Sequence, residues 1–172
     1  MFLVALAAAA ASTHSVTGAF GYTLGQAPPA RMAACSHFIA TTGTEIFNCP
    51  GQGAFSKTSV TTQHHTTVSV KGSRDYKGAP IDAAMRSCLA DLAPLERTVR
   101  RNYPKLVQVP IYSGGNFWFS EQASGKVPTG RSIIGRCSET KVGGDYVMLW
   151  LSFDVSTHEN VELIHLDKAG AR

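Results

Sequence analysis

Acidic residues are scarce in the first half of this 172-residue chain, where positions 1–80 hold only Glu45 and Asp75. That supply leaves little room there for general acid–base work by paired carboxylates. Positions 1–19 contain no Lys, Arg, Asp or Glu at all. Charged residues make up only 16% of the chain, against roughly 25% in an average soluble protein. Sixteen Lys and Arg against twelve Asp and Glu give a net charge of +4. So small a surplus is not the footprint of a dedicated nucleic-acid binder, and no nucleic-acid partner is expected. After the first residues no segment reaches 18 uninterrupted apolar positions, so no transmembrane helix is expected in the mature chain. What is present is a hydrophobic content of 44%, which excludes a disordered chain. The length suits one domain.

Phe2-Leu3-Val4-Ala5-Leu6 runs into Ala7 through Ala11, an apolar stretch of signal-peptide length. The basic residues that usually precede such a stretch are missing, so the amino terminus supplies its positive charge. The reading is a signal peptide over residues 1–19 and a single domain over 20–172. Small residues allow cleavage after Ala11, or after Gly18 or Ala19. An Ala-rich helix of the mature protein is the competing reading. Export would place the protein in the periplasm or outside the cell.

The four cysteines, Cys35, Cys49, Cys88 and Cys137, fit an oxidising compartment. Three pairings are open to four cysteines. Cys35–Cys49 and Cys88–Cys137 are favoured, because each couples an expected helix to a later strand. Zinc is the weaker alternative, since no C-x-x-C pair exists. Neither a metal nor another cofactor is expected.

Along the chain, Gln26 to Cys35 reads as a short helix with Pro28 and Pro29 in its first turn. Strands are expected at Thr44–Cys49, Phe55–Thr62 and Thr66–Lys71, with Gln63-His64-His65 turning the last hairpin. Ile81, Met85, Cys88, Leu89 and Leu92 recur at helical spacing and predict a helix over 81–102. Asp82–Arg86 and Glu96–Arg100 are favourable pairs on it. Pro94 is expected to kink or split it. Its basic end, Arg97, Arg100, Arg101 and Lys105, suits a helix dipole. Strands follow at Val107–Tyr112, Phe117–Ser120, Ser132–Ser138 and Tyr146–Asp154. Ser156 and Glu159 suggest a capping box for a C-terminal helix through Leu166, although the alternation of Val161, Leu163 and His165 fits a strand equally well. The sum is an α+β fold: an antiparallel sheet with helices packed on one face, two helix-plus-hairpin units and a C-terminal helix.

No catalytic motif survives inspection. Gly51 with Ser56-Lys57-Thr58 approaches a phosphate-binding loop, but lacks the glycine before the lysine and the following helix. Ser138-Glu139-Thr140-Lys141 matches an acyl-transferase pattern without the companion elements. The six histidines, His14, His37, His64, His65, His158 and His165, do not take metal-ligand spacing. A cell-envelope hydrolase using His37, His64 or His158 with a serine or an unpaired cysteine is the enzymatic alternative.

The informative pattern is aromatic. In Tyr146–Phe153, Val147, Leu149, Leu151 and Phe153 form one apolar face of a strand. Tyr146, Met148 and Trp150 form the other, and Trp118 stands opposed to Phe117 and Phe119. If helices cover only one side of the sheet, Trp118, Tyr146 and Trp150 become a candidate protein-binding surface. If the other side is also covered, they are core.

Phe20-Gly21-Tyr22-Thr23-Leu24-Gly25-Gln26, with Arg101-Asn102-Tyr103-Pro104 closing the long helix, resembles the opening and layout of small exported bacterial proteins of unknown function. The helix-plus-sheet order with two disulfides is also similar to the beta-lactamase inhibitory protein family. That resemblance implies an open sheet face presented to a protein partner in the cell envelope.

Overall fold

A computed structural model describes residues 15–41, 43–109, 116–124, 127–141 and 144–156. Two short strands come first, β1 (Gly18–Ala19) and β2 (Tyr22–Thr23), paired with each other. A five-residue 3-10 turn, Ala30–Ala34, leads into β3 (Ser36–Thr41) and β4 (Thr44–Pro50). Next come β5 (Lys57–Gln63), β6 (Thr66–Tyr76) and the helix α1 (Ile81–Asn102). The chain ends its described course in β7 (Val107–Gln108), β8 (Phe117–Ser124), β9 (Val127–Thr140) and β10 (Tyr146–Ser156).

Strands β3 to β10 form one antiparallel sheet of eight strands in the order β3-β4-β5-β6-β10-β9-β8-β7. Among the described residues α1 is the only α-helix. The expected α+β fold with helices packed on one face and two helix-plus-hairpin units is therefore corrected to a mostly β architecture. Two physical reasons account for the error. The segment after Pro28-Pro29 is too short and presents too little apolar surface to extend beyond a single 3-10 turn, and it never reaches the stable helix length. Two strands also run longer than expected: β6 has eleven residues and β9 fourteen, their far faces carrying polar residues such as Ser69, Lys71, Ser132 and Arg136. The expected C-terminal helix lies outside the described residues beyond Ser156.

Other expectations hold. The helix spans Ile81–Asn102 and buries Ala84, Cys88, Leu92 and Val99. The split expected at Pro94 does not occur: the helix continues through this exposed proline, and the Thr98 hydroxyl donates to the Pro94 carbonyl at 2.9 Å. Both disulfides form as favoured, Cys35–Cys49 beside the β3–β4 hairpin and Cys88–Cys137 between α1 and β9. The β5–β6 hairpin turns at His64 and His65, each with positive φ (47° and 63°), as a two-residue turn of the primed kind requires.

The core lies between α1 and the sheet. Val147, Leu149, Leu151 and Phe153 point into it from β10. Leu151 is flanked in register by Gly72 on β6 and Gly135 on β9. A Cβ on Gly135 would stand 2.4 Å from the Phe117 ring, and one on Gly72 would stand 2.6 Å from Phe20. The two glycines thus leave the hollows that aromatic rings fill on either side of Leu151.

The helix-free face as a candidate functional site

The side chains opposite α1 are ordered by strand register. One row crosses five strands as Ser120, Ser132, Asp154, Ser69 and Thr61. The adjacent row runs Trp118, Ile134, Ser152, Lys71 and Ser59. A third sets Trp150 between Arg136 and Ser73. A hydroxyl-rich band with one carboxylate therefore lies beside an aromatic patch.

The patch is small and packed. Val109, Trp118 and Ile134 form a cluster separate from the main core, and Trp150 packs against it half-buried. Trp118 is only 9% exposed, so of the three expected contact residues it belongs to the foundation of the patch rather than to its surface. Trp150 and Tyr146 keep part of their surface in solvent. Each carries an ammonium over its ring: Lys71 Nζ stands 5.9 Å from the Trp150 centroid and Lys77 Nζ 4.6 Å from that of Tyr146. Such contacts hold the ring in place and present a cation beside it. Trp118 and Trp150 share the cluster, whereas Tyr146 sits farther along β10, opposite Thr140.

Asp154 was not legible as a site residue. Ser69 and Ser152 both donate hydrogen bonds to its carboxylate, Ser152 at 2.6 Å. Desolvation pushes its carboxyl above the ordinary aspartate range, although both serine hydroxyls and the charge of Lys71 oppose the shift. Nearby, Asp75 takes Lys57 at 3.2 Å and Lys77 at 3.4 Å. Trp118 Nε1 and Arg136 Nε are buried and have no acceptor among the described residues, a cost of about 1–3 kcal/mol for each group left unpaired. The only sequence signal for this band is the alternation Trp150-Ser152-Asp154, which gains meaning once β6 and β9 are known to flank it.

The enzymatic alternative loses its cysteine branch, because all four cysteines are in disulfides. His37 stacks on Phe47 with centroids 4.6 Å apart and its Nε2 lies 3.7 Å from Glu45. His64 and His65 border a hollow of about 270 Å³ with Ile39, Gly43 and Glu45 at one end of the sheet. His64 packs on Gly43 and donates its backbone N–H to the Gly43 carbonyl at 2.7 Å. His14, His158 and His165 lie outside the described residues. No group of three potential metal ligands occurs among the described residues, and no helix there is long and apolar enough to cross a membrane.

A second surface stands at the sheet's edge. Among the described residues β3 pairs only with β4, and all six of its residues are exposed. Phe38 and Ile39, exposed by 48% and 68%, sit on it. The Cys35–Cys49 disulfide fastens the start of this strand to β4. Sequence reading placed no strand here, because Ser36–Thr41 has no turn before it that separates it from the preceding helix.

No family model, curated protein or solved structure matches this chain.

Proposed function

We propose that this protein is an exported, disulfide-stabilised binding module of the inhibitor or immunity kind. It engages a protein partner in the cell envelope through the helix-free face of its sheet. The observation that carries this reading is the pair of half-exposed aromatics, Trp150 and Tyr146, each with a lysine over its ring on a face that α1 does not cover. Rings held by packing and by a neighbouring cation lose little freedom on association. Aromatic residues so placed are the type that dominates binding energy at protein interfaces. The two disulfides fit the oxidising compartment that export implies.

The test is capture from an envelope extract with wild type, Trp150→Ala and Tyr146→Ala, alongside melting curves of each. A defined partner retained by wild type and lost by a variant that melts normally supports the surface. A partner retained equally by all three removes this face from the interaction.

The exposed apolar edge favours a second reading, in which a partner's extended segment adds to β3 by main-chain pairing. Ile39→Lys and Phe38→Lys separate the two readings: partner loss in these variants and not in Trp150→Ala assigns binding to the edge.

A further inference from the structure

The Trp150 ring stands between two cations that lack a carboxylate partner among the described residues. Strand register places Arg136 of β9 directly across from Trp150 of β10. From the other side, β6 brings Lys71 into the adjacent row, opposite Ser152, with its Nζ 5.9 Å from the Trp150 centroid. All three side chains are half-buried. Among the described residues neither Arg136 nor Lys71 lies within ion-pair distance of a carboxylate. Arg136 Nε is buried there without an acceptor. The two acids that register places nearby on this face are already held. Asp75, opposite Met148, takes Lys57 at 3.2 Å and Lys77 at 3.4 Å. Asp154 accepts from the Ser69 and Ser152 hydroxyls.

A cation that has lost part of its water without gaining a partner is a standing cost, and a carboxylate brought by another molecule removes it. The planar guanidinium fits a carboxylate with two parallel hydrogen bonds, and the ammonium adds a donor from the opposite side of the ring. Trp and Arg are also residue types in which interface energy concentrates. The charge on offer is confined to two half-buried side chains around one ring, because the more exposed Lys57 and Lys77 are taken by Asp75. Such an arrangement suits the carboxylate of one side chain. A lipid surface calls instead for a cluster of protruding cations.

Resting on the binding-module reading above, we infer that the protein partner presents an acidic segment to this face, one of its carboxylates seated between Arg136 and Lys71 at the Trp150 ring. Apolar neighbours of that acid in the partner lie against the ring itself. The two cations select the partner by charge, and the indole supplies the desolvated contact that holds it.

The probe is a short fluorescein-labelled peptide alternating glutamate and leucine, titrated by anisotropy against the disulfide-bonded protein. A glutamine–leucine twin and vesicles of phosphatidylglycerol run as parallel arms. Wild type should bind the acidic peptide saturably and the twin about tenfold more weakly or worse, with affinity falling as salt is raised. Arg136→Gln and Lys71→Gln should each weaken binding about fivefold to tenfold. Arg136→Lys, which keeps the charge and loses the planar fork, should recover only part of that loss. Arg97→Gln removes the same charge from an exposed position on α1 and should bind as wild type does. Melting curves accompany each variant, and one that melts lower is titrated below its transition, where it is folded. No saturable binding, equal binding of the twin, or an equal loss in Arg97→Gln overturns the inference. Vesicles bound in place of the peptide, and released by the same two substitutions, overturn it in favour of a membrane surface. Capture from the envelope extract judges the underlying reading separately. A partner lost by Trp150→Ala but kept by Arg136→Gln and Lys71→Gln removes the acidic contact and leaves the binding face standing. A partner kept by all three variants overturns both.

Discussion

The two faces of the same eight-stranded sheet are built by opposite rules. On the face under α1, Thr58, Gly72, Leu151, Gly135 and Phe117 follow one another across five strands, and every hollow left by a glycine is filled by a ring. On the other face, one row sets Ser120, Ser132 and Ser69 in line with a single carboxylate, Asp154, which Ser69 and, from the adjacent row, Ser152 hydrogen-bond. The first face is specified by volume, so its residues cannot change without a cavity or a clash. The second is specified by hydrogen bonding among buried hydroxyls, Ser120, Ser132 and Ser152, and by a few aromatic contacts. The functional reading falls on Trp150 and Tyr146, which keep part of their surface in solvent there.

The largest effect should come from the bond that pins α1 to the covered face. Cys88 and Cys137 are separated by 49 residues, and in the chain-entropy view closing that loop contributes about 4 kcal/mol, against about 3 kcal/mol for the 14-residue separation of Cys35 and Cys49. Replacing both Cys88 and Cys137 by serine should lower the melting temperature by roughly 10 °C or more in calorimetry. A loss of only a degree or two would mean that packing alone holds the helix, and the contrast between faces would rest on side chains only.

Next in size is Gly135→Ala. Its Cβ would stand 2.4 Å from Phe117 and 2.9 Å from Leu92 Cδ1, inside a packed layer that must shift to admit it. Overpacking of this kind costs about 1–3 kcal/mol. Denaturant titration should show a lower midpoint with an unchanged slope. No loss of stability would mean that the covered face is looser than its glycine row indicates.

Much of this was written in the sequence. The period of Ile81, Met85, Cys88 and Leu92 marks α1 to the residue, and the alternation in Tyr146–Phe153 assigns both faces of β10 before any neighbour is known. Periodicity is a local signal, and these elements carry it themselves. What stayed hidden was everything that depends on which strands meet. Asp154 looks like the polar end of a strand until β6 brings Ser69 beside it, and Glu121 looks like a surface acid until the chain returns Ser15 and Val16 to it. The fold class was misjudged for a related reason. A proline-started Ala-rich segment has helical composition, but it lacked the length and the buried stripe that would let it persist beyond one turn.

On the free face, Trp150→Ala should cost about 1–2 kcal/mol, less than the roughly 3–5 kcal/mol that removing a buried ring such as Phe153 would cost. Trp150 is half-buried and packs on one small cluster, whereas Phe153 is 2% exposed in the main core. Thermal melts of the two variants side by side measure the difference directly. Equal losses would make Trp150 a core residue and withdraw it from the proposed contact surface.

The smallest effect discriminates most finely, because two carboxylates titrate with opposite signs. The Asp154 carboxyl is raised by desolvation, so the folded protein holds this proton after the unfolded chain has released it. Its contribution is therefore favourable below the ordinary aspartate range and is lost as pH rises through the raised value. Glu121 is lowered, so its contribution is present above the ordinary glutamate range and is lost as pH falls through the depressed value. Asp154→Asn keeps a group that can accept from one serine and donate to the other while removing the charge. It should melt slightly higher than wild type at pH 7, with the advantage shrinking as the pH is lowered into the range where Asp154 is protonated in both states. Glu121→Gln should melt lower than wild type at pH 7, and that deficit should also shrink in acid. Melting curves of the three proteins from pH 3 to pH 7 give the two signs in one experiment. An Asp154→Asn protein that is less stable than wild type at pH 7 would show that the serine hydrogen bonds outweigh desolvation, and the free face would then be held together by its carboxylate instead of merely tolerating it.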